Sequence, residues 1–209
     1  MWLFIAKGGV VVVPILLCSV IALAIFFERL IFFAKIKIEG KKEKISSNIA
    51  SMLKEGKTNE ALEAAKDSNS PMGRILTHAI DAIDCDRETI ETVIINATEE
   101  EVRGFSSYLQ VLATIANIAP ILGLLGTVLG MIKAFMVIQE MGGKVNASSL
   151  AGGIWEAMLT TALGLAVALP AMVAHSYLVS RVNQYEAQLQ SGALIFIKTF
   201  FAPKHGGKL

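Results

Sequence analysis

Three stretches of this chain, residues 8–27, 104–132 and 157–180, contain no Asp, Glu, Lys or Arg. Each reaches the ~20 residues that a helix needs to cross ~30 Å of hydrocarbon at ~1.5 Å per residue. Residues 28–103, between the first two, are densely charged. A soluble domain carries charge on about a quarter of its residues, spread over its surface. Here 18% of the 209 residues are charged and 54% are hydrophobic, and the deficit of charge is confined to the three runs. A chain segregated in this way is solvated by a lipid bilayer. The expected fold is all-α: an integral membrane protein with three transmembrane helices, two of them long and extending into a helical cytoplasmic domain.

The first run exceeds the ~7–15-residue core of a signal peptide and is followed by Glu28, Arg29 and lysines rather than a small-residue cleavage site, so it reads as a retained anchor. Arg29, Lys35, Lys37, Lys41, Lys42 and Lys44 follow this span, and only Lys7 precedes it. The positive-inside rule then places the N-terminus outside, and three crossings return the C-terminus to the cytoplasm with Arg181, Lys198, Lys204 and Lys208. Lys133 and Lys144 fall on the outer side, where Lys133 can snorkel to the interface. The expected layout is an outer N-terminus (1–7), transmembrane helix 1 (8–28), a cytoplasmic helical domain (29–104), transmembrane helix 2 (105–138), an outer loop (139–149), transmembrane helix 3 (150–180), and a cytoplasmic C-terminal helix and tail (181–209).

A net charge of +1 with only local basic clusters gives no reason to expect nucleic acid as a partner. Cys18 and Cys85 fall in different compartments on this layout, so neither a bridge nor a metal site is expected, and no cofactor is implied.

In the polar region, Ile45, Ile49, Met52 and Leu53 recur at helical spacing before Gly56. Thr58 is placed to cap a segment with Ala61, Leu62 and Ala65. Ser70-Pro71 is a helix start with Ser as N-cap, followed by a stripe of Ile75, Leu76, Ala79, Ile80 and Ile83. Asp86 opens another helix with Ile90, Val93, Ile94 and Ala97 on one side. From Asp86 to Ile138 the expectation is a single bent helix of ~50 residues, ~75 Å long. A second long helix runs from about Ser148 to beyond Leu189.

The second span carries Ala113, Ala116, Ala119, Gly123, Gly126, Gly130 and Ala134 at spacings of three or four, all on one helical face. The third repeats the device with Gly153, Ala157, Thr161, Gly164 and Ala168. Small residues let helix backbones approach where lipid removes the hydrophobic drive between helices, so these stripes are packing signals, with Pro120 and Pro170 inside the same spans. The polar residues are more specific. Thr114, Asn117 and Thr127 lie in the second span, Thr160 and Thr161 in the third. A membrane threonine commonly bonds the carbonyl one turn back, and Asn117 is placed to satisfy the carbonyl that Pro120 leaves free. Glu156 is either an interfacial carboxylate or one that faces a cavity or partner. His175 reads as interfacial packing, His78 and His205 carry no signal, and Glu99-Glu100-Glu101 with Arg103 reads as a solvated face.

Residues 112–128 (LATIANIAPILGLLGTV) resemble the second-span signature of the MotA/TolQ/ExbB proton-channel family, and residues 153–171 (GIWEAMLTTALGLAVALPA) its third-span signature. Glu28-Arg29-Leu30 and the order of one span, a cytoplasmic domain and a two-span hairpin fit as well. The resemblance implies a subunit of a proton-driven motor in the bacterial inner membrane, five copies surrounding the helices of a single-span ExbD/TolR-like partner. In the family an Asp on that partner takes up and releases protons. The residues matching Thr127 and Thr161 face it, the glutamate matching Glu156 lies along the same lumen, and work passes to a TonB/TolA-like energy transducer. Thr160 adds a hydroxyl where the family commonly has an apolar small residue, which leaves open which threonine of the pair faces the lumen.

An ExbB-like subunit energising outer-membrane transport and a TolQ-like subunit serving envelope integrity share this chemistry. The MotA branch has four spans where this chain has three. A non-conducting scaffold would carry the same small-residue stripes. No P-loop, metal-spaced His/Cys cluster or nucleophile–base pair supports an enzyme.

Overall fold

A computed structural model describes residues 9–35, 42–140 and 147–202. The expected outer N-terminus with Lys7, then Lys37 and Lys41, the loop residues around Lys144, and the tail with Lys204, His205 and Lys208 lie outside the described residues. Among the described residues the elements are all helices: α1 (Val12–Lys35), α2 (Lys42–Lys54), α3 (Thr58–Asp67), α4 (Pro71–Asp81), α5 (Arg87–Ser106), α6 (Leu109–Glu140) and α7 (Ala147–Phe201). Three of them are long and apolar enough to cross a membrane, over Val12–Ala34, Leu109–Glu140 and Ala151–Phe201. The all-α architecture with three spans, two of them in long helices, is therefore present.

The chain forms two compact units. One contains α1 as far as Phe32, α6 and α7 as far as Val179. Its outward surface is apolar: Leu17, Val20, Phe27, Ile121, Leu124, Phe135, Leu169 and Val173 are all exposed. In water such a surface would be untenable, but against lipid tails it costs nothing. Buried positions instead hold small residues, among them Ala22, Ala116, Ala119, Ala134, Ala157, Ala168 and Ala171. Arg29 is buried at 5% exposure; it pairs with Glu28 at 2.9 Å and lies 4.8 Å from the Phe32 ring and 5.3 Å from the Tyr108 ring. Aromatic faces and a carboxylate together compensate a guanidinium removed from water.

The other unit contains α2 to α5 and α7 from Ser180 onward. Helix α3 packs on α2 and α4, and α4 on α5. Ile49, Leu53, Met72, Ile75, Leu76, Ile90, Ile94, Phe105, Leu189 and Phe196 form its core, and Tyr185 stacks between Phe33 at 5.6 Å and Phe105 at 5.3 Å. The expected start signals hold. Ser70 Oγ accepts from Gly73 N at 3.1 Å with Pro71 at the first helical position, and Asp86 caps α5 by accepting from Thr89 N at 3.3 Å. The Thr89 hydroxyl also donates to Asp86, at 2.6 Å, and these bonds hold the Asp86 carboxyl below its usual range. Helix α2 stops at Gly56, whose φ of +80° suits a residue without a side chain. Thr58 does not cap α3: it is the first helical residue, and Lys57 holds the cap position without a side-chain bond. Nor is the acidic run uniformly solvated. Glu99 and Arg103 form an exposed pair one turn apart, but Glu101 bonds Arg74 on α4 through both carboxylate oxygens, which raises the Arg74 pKa.

The expected single helix from Asp86 to Ile138 is two helices. Ser107 is extended (φ −53°, ψ 138°) and Tyr108 is left-handed at φ +63°, so the ladder stops at Ser106 and restarts at Leu109. A tyrosine in that region costs ~1–2 kcal/mol. The Tyr108 ring meets Arg29, an attraction that offsets the strain. Helix α7, by contrast, continues through Pro170 over 55 residues, ~80 Å of helix. Pro170 is exposed, and it can supply no N–H to the Ala166 carbonyl.

Two glycines separate tolerant from intolerant packing. A Cβ on Gly73 would collide with the Ala65 carbonyl and the Ser68 hydroxyl, whereas on Gly192 its closest contact is the flexible tip of Met72. Gly73→Ala should lower the unfolding free energy of the helical unit by about 2–3 kcal/mol and Gly192→Ala by under about 1. Ser70→Ala should cost about 1 kcal/mol through the lost cap. Thermal unfolding of the detergent-solubilised protein, followed by circular dichroism, measures all three.

Candidate functional site

The small-residue stripes expected in the second and third spans meet each other. A Cβ on Gly130 would lie 2.8 Å from the Ala157 Cβ, one on Gly126 would lie 2.6 Å from the Thr160 Cβ, and one on Gly153 would lie 2.9 Å from the Ala134 Cβ. Farther along, a Cβ on Gly164 would stand 2.6 Å from the Ala119 carbonyl oxygen and 3.0 Å from Gly123 Cα. Residue numbers rise along α6 as they fall along α7, so the two form an antiparallel hairpin. Gly123, Gly126, Gly130 and Gly164 are buried in its seam, as are Ala116, Ala119 and Ala134. Ala113, at the edge of the stripe, is half-buried.

The polar residues separate by role. Thr114 Oγ1 donates to the Gln110 carbonyl at 2.8 Å and Thr127 Oγ1 to the Leu124 carbonyl at 2.6 Å, both bonds within α6. Thr160 is 1% exposed, and its hydroxyl donates to the Ala157 carbonyl at 2.7 Å; its 3.5 Å approach to the Gly123 carbonyl is at the limit of a hydrogen bond. Thr161 is half-buried and donates across the hairpin to the Gly123 carbonyl at 2.9 Å. Thr160 is thus part of the packed seam, and Thr161 stitches its edge. Asn117 is exposed and Pro120 half-buried on the surface of α6. His175 is half-buried on α7.

Glu156 and Lys133 meet across the hairpin, Lys133 Nζ 3.5 Å from Glu156 Oε1. At ~100° per residue, Glu156 and Thr161 stand about 140° apart around α7, and Lys133 and Thr127 about 120° apart around α6. Since Lys133 and Glu156 touch, they mark one flank of the seam; Thr127 and Thr161 fall on the other. The residues singled out from the sequence therefore do not form one cluster within the single chain. Residues 113–131 of α6 contain no ionisable side chain, and residues 154–172 of α7 contain only Glu156. The threonine flank is polar but cannot titrate. Sequence reasoning noted Lys133 and Glu156 separately and missed their pairing. The signal was available: in an antiparallel hairpin, residues at similar distances from the connecting loop face each other.

The family model described as the MotA/TolQ/ExbB proton channel family matches residues 67–191. An ExbB-like biopolymer transport protein of Synechocystis sp. is 34% identical over 182 residues, which cover 85% of this chain and 70% of the relative. The biopolymer transport protein ExbB of Salmonella typhimurium is 30% identical over 188 residues, 86% of this chain and 75% of that one. The Tol-Pal system protein TolQ of Haemophilus influenzae is 40% identical over 91 residues, covering 43% of this chain and 39% of TolQ.

The seam sets a steep size limit. Gly164→Ala pushes a methyl against backbone atoms of Ala119 and Gly123 that cannot rotate away, and should destabilise the hairpin by about 1–3 kcal/mol. Gly152→Ala, with nothing within 4 Å of its new Cβ, should leave stability unchanged. Comparing the unfolding temperatures of the two variants in the same detergent checks this.

Proposed function

Because the chain belongs to the MotA/TolQ/ExbB proton channel family, we propose that it is the ring-forming subunit of an inner-membrane motor that couples the proton-motive force to transport across the outer membrane. Copies of the chain, five on the family pattern, enclose an ExbD/TolR-like single-span partner, and a TonB/TolA-like protein carries the work onward. The subunit sits with its N-terminus periplasmic and its α2–α5 unit and C-terminus cytoplasmic, as the lysines after the first span favour.

The observation that carries this reading is the chemistry of the threonine flank. Driving a charge down the membrane potential releases ~2.3 kcal/mol per 100 mV, and harnessing it needs a group that gains and loses a proton within the membrane. Thr127 and Thr161 offer hydroxyl groups on one flank, Asn117 adds an exposed amide on α6, and the one titratable side chain within residues 113–131 and 154–172, Glu156, pairs with Lys133 on the other flank. Such a wall can hydrogen-bond a carboxyl brought by a partner helix, and it cannot move protons alone. The two threonine hydroxyls are already bonded to the Leu124 and Gly123 carbonyls, which leaves their lone pairs free to accept from a protonated carboxyl.

The TolQ match, 40% identical over 91 residues, supports a second reading with the same proton chemistry and a client in envelope integrity. A non-conducting scaffold is the reading in which the threonine flank stays dry.

Proton uptake into potential-energised liposomes, with and without the candidate partner, separates conduction from scaffolding. Flux is expected only when both proteins are present. Thr127→Ala and Thr161→Ala should each reduce it at least about tenfold while the complex still assembles. The loss of one interhelical hydrogen bond in Thr161→Ala should cost only ~0.6–1.7 kcal/mol of stability. Undiminished flux in both variants would remove the threonines from the path.

A further inference from the structure

Asn117 carries a primary amide into the second span, and nothing in the chain meets it. On α6 it stands ~12 Å beyond Leu109 and ~24 Å short of Lys133, about a third of the way along the uncharged part of the helix. Its side chain is exposed and makes no hydrogen bond to a described residue, so it does not serve the Ala116 carbonyl that Pro120 leaves without a donor. One turn nearer the start of α6, Thr114 is exposed, and its hydroxyl donates to the Gln110 carbonyl at 2.8 Å, which leaves the oxygen's lone pairs available. Gln110 is exposed as well, and its side-chain amide bonds to no described residue.

These three residues begin a single face. Gln110, Thr114, Asn117, Ile121, Leu124 and Val128 follow at spacings of three or four, stay within ~80° of one another, and stand opposite Gly123, Gly126 and Gly130. Because those glycines pack against α7, the face points away from the seam. Its outer part is bare too, with Ile121 64% and Leu124 60% exposed. The chemistry changes at Asn117: polar residues lie toward the start of α6 and apolar ones beyond.

Whatever covers the polar part has to supply hydrogen bonds. Lipid tails supply none, and an amide left unpaired in hydrocarbon is costly. A closely packed helix would ask for small residues, as the seam does, and this face has none. Water meets both conditions. Neighbouring polar side chains on the face are ~4.5–6 Å apart along the axis, a gap that one water spans with two hydrogen bonds. The polar run also starts beside Tyr108, whose exposed ring lies against Arg29 at the end of the span, where interfacial aromatic residues belong.

We propose that Gln110, Thr114 and Asn117 line a water-filled vestibule that opens at the start of α6 and ends at Asn117, closed beyond it by Ile121 and Leu124. The inference rests on the proton-channel reading and deepens it: on the orientation given there, the vestibule opens to the cytoplasm and is the side to which protons leave. Thr127 lies ~15 Å beyond Asn117 along the axis. The apolar turn between them keeps the subunit from leaking protons until a partner's carboxyl enters.

The test is cysteine accessibility in the full chain, co-expressed with its candidate partner, in inverted membrane vesicles whose cytoplasmic face is outward. The native Cys85, exposed between α4 and α5, is the cytoplasmic reference, and each new cysteine is placed in a C18A/C85A background. A charged, membrane-impermeant methanethiosulfonate reacts with thiolates that water reaches. Q110C, T114C and N117C should react within about tenfold of the Cys85 rate, and I121C, L124C and V128C at least about a hundredfold more slowly. N117L should assemble and unfold like the wild type and lower proton flux about tenfold, and N117S, which restores a hydrogen-bonding group, should recover most of it. T114C and N117C as slow as L124C would overturn the vestibule and leave the face to lipid or to a helix of a second copy. Equal reaction at all six positions would overturn it too, because the face would then be wet throughout. So would N117L that fails to assemble or unfolds earlier, which would make the amide a contact between helices. Undiminished flux in an assembled N117L would remove the vestibule from the proton route. Failure of the underlying reading shows separately, as wild-type protein that does not conduct with its partner, and the labelling pattern then still decides whether the vestibule exists.

Discussion

Where the Thr161 hydroxyl meets the Gly123 carbonyl at 2.9 Å, the backbones of α6 and α7 are close enough that little more than hydrogen fits between them. A bilayer gives two apolar helices no hydrophobic reason to associate, so the attraction must come from many short contacts and from polar groups that find partners. Gly123 serves both needs. Its missing side chain admits α7, and its carbonyl receives the threonine. The antiparallel register set there fixes which residues of the two helices become neighbours along the rest of the seam, including Thr160 against Gly126 and Ala157 against Gly130.

Once the seam is fixed, the two helices have distinct flanks. The Lys133–Glu156 flank lies toward the start of α1 and carries a compensated pair of charges. The Thr127–Thr161 flank carries hydroxyls and no charge between the loop end and the middle of the span. Each helix of the hairpin thus divides into one side that carries an ion-paired charge and one that carries uncharged hydroxyls. The division follows from helical periodicity alone: five residues separate Glu156 from Thr161, about 140° around the axis.

Much of this was legible in the sequence, for identifiable reasons. Long uncharged runs are read by length, and all three spans are present. The Ser70 cap and the helix start at Asp86 were readable because a short polar side chain before a periodic apolar stripe has one common use. Thr58 misled because threonine is accommodated as readily in the first helical turn as before it. The break at Ser107-Tyr108 has only a faint local signature, Gly104 and the Ser106-Ser107 pair, and the contact that offsets a left-handed tyrosine comes from Arg29, about eighty residues earlier. The candidate site divides along the same line. Stripe positions were visible from spacing, and the burial of Thr160 beside a half-buried Thr161 became clear only with the register of the opposing helix. The pairing of Lys133 with Glu156 depends on the same register.

That pairing also bears on how the chain enters the membrane. A single ionised side chain at the centre of a bilayer costs ~2.5–3.5 kcal/mol on insertion scales, and both Lys133 and Glu156 lie toward the loop end of the hairpin. If the helices crossed one after the other, each would carry its charge through the hydrocarbon alone. Crossing together, with the glycine seam already zipped, they carry a neutral couple. Inserted as one unit, the hairpin spares the bilayer two separate unpaired charges.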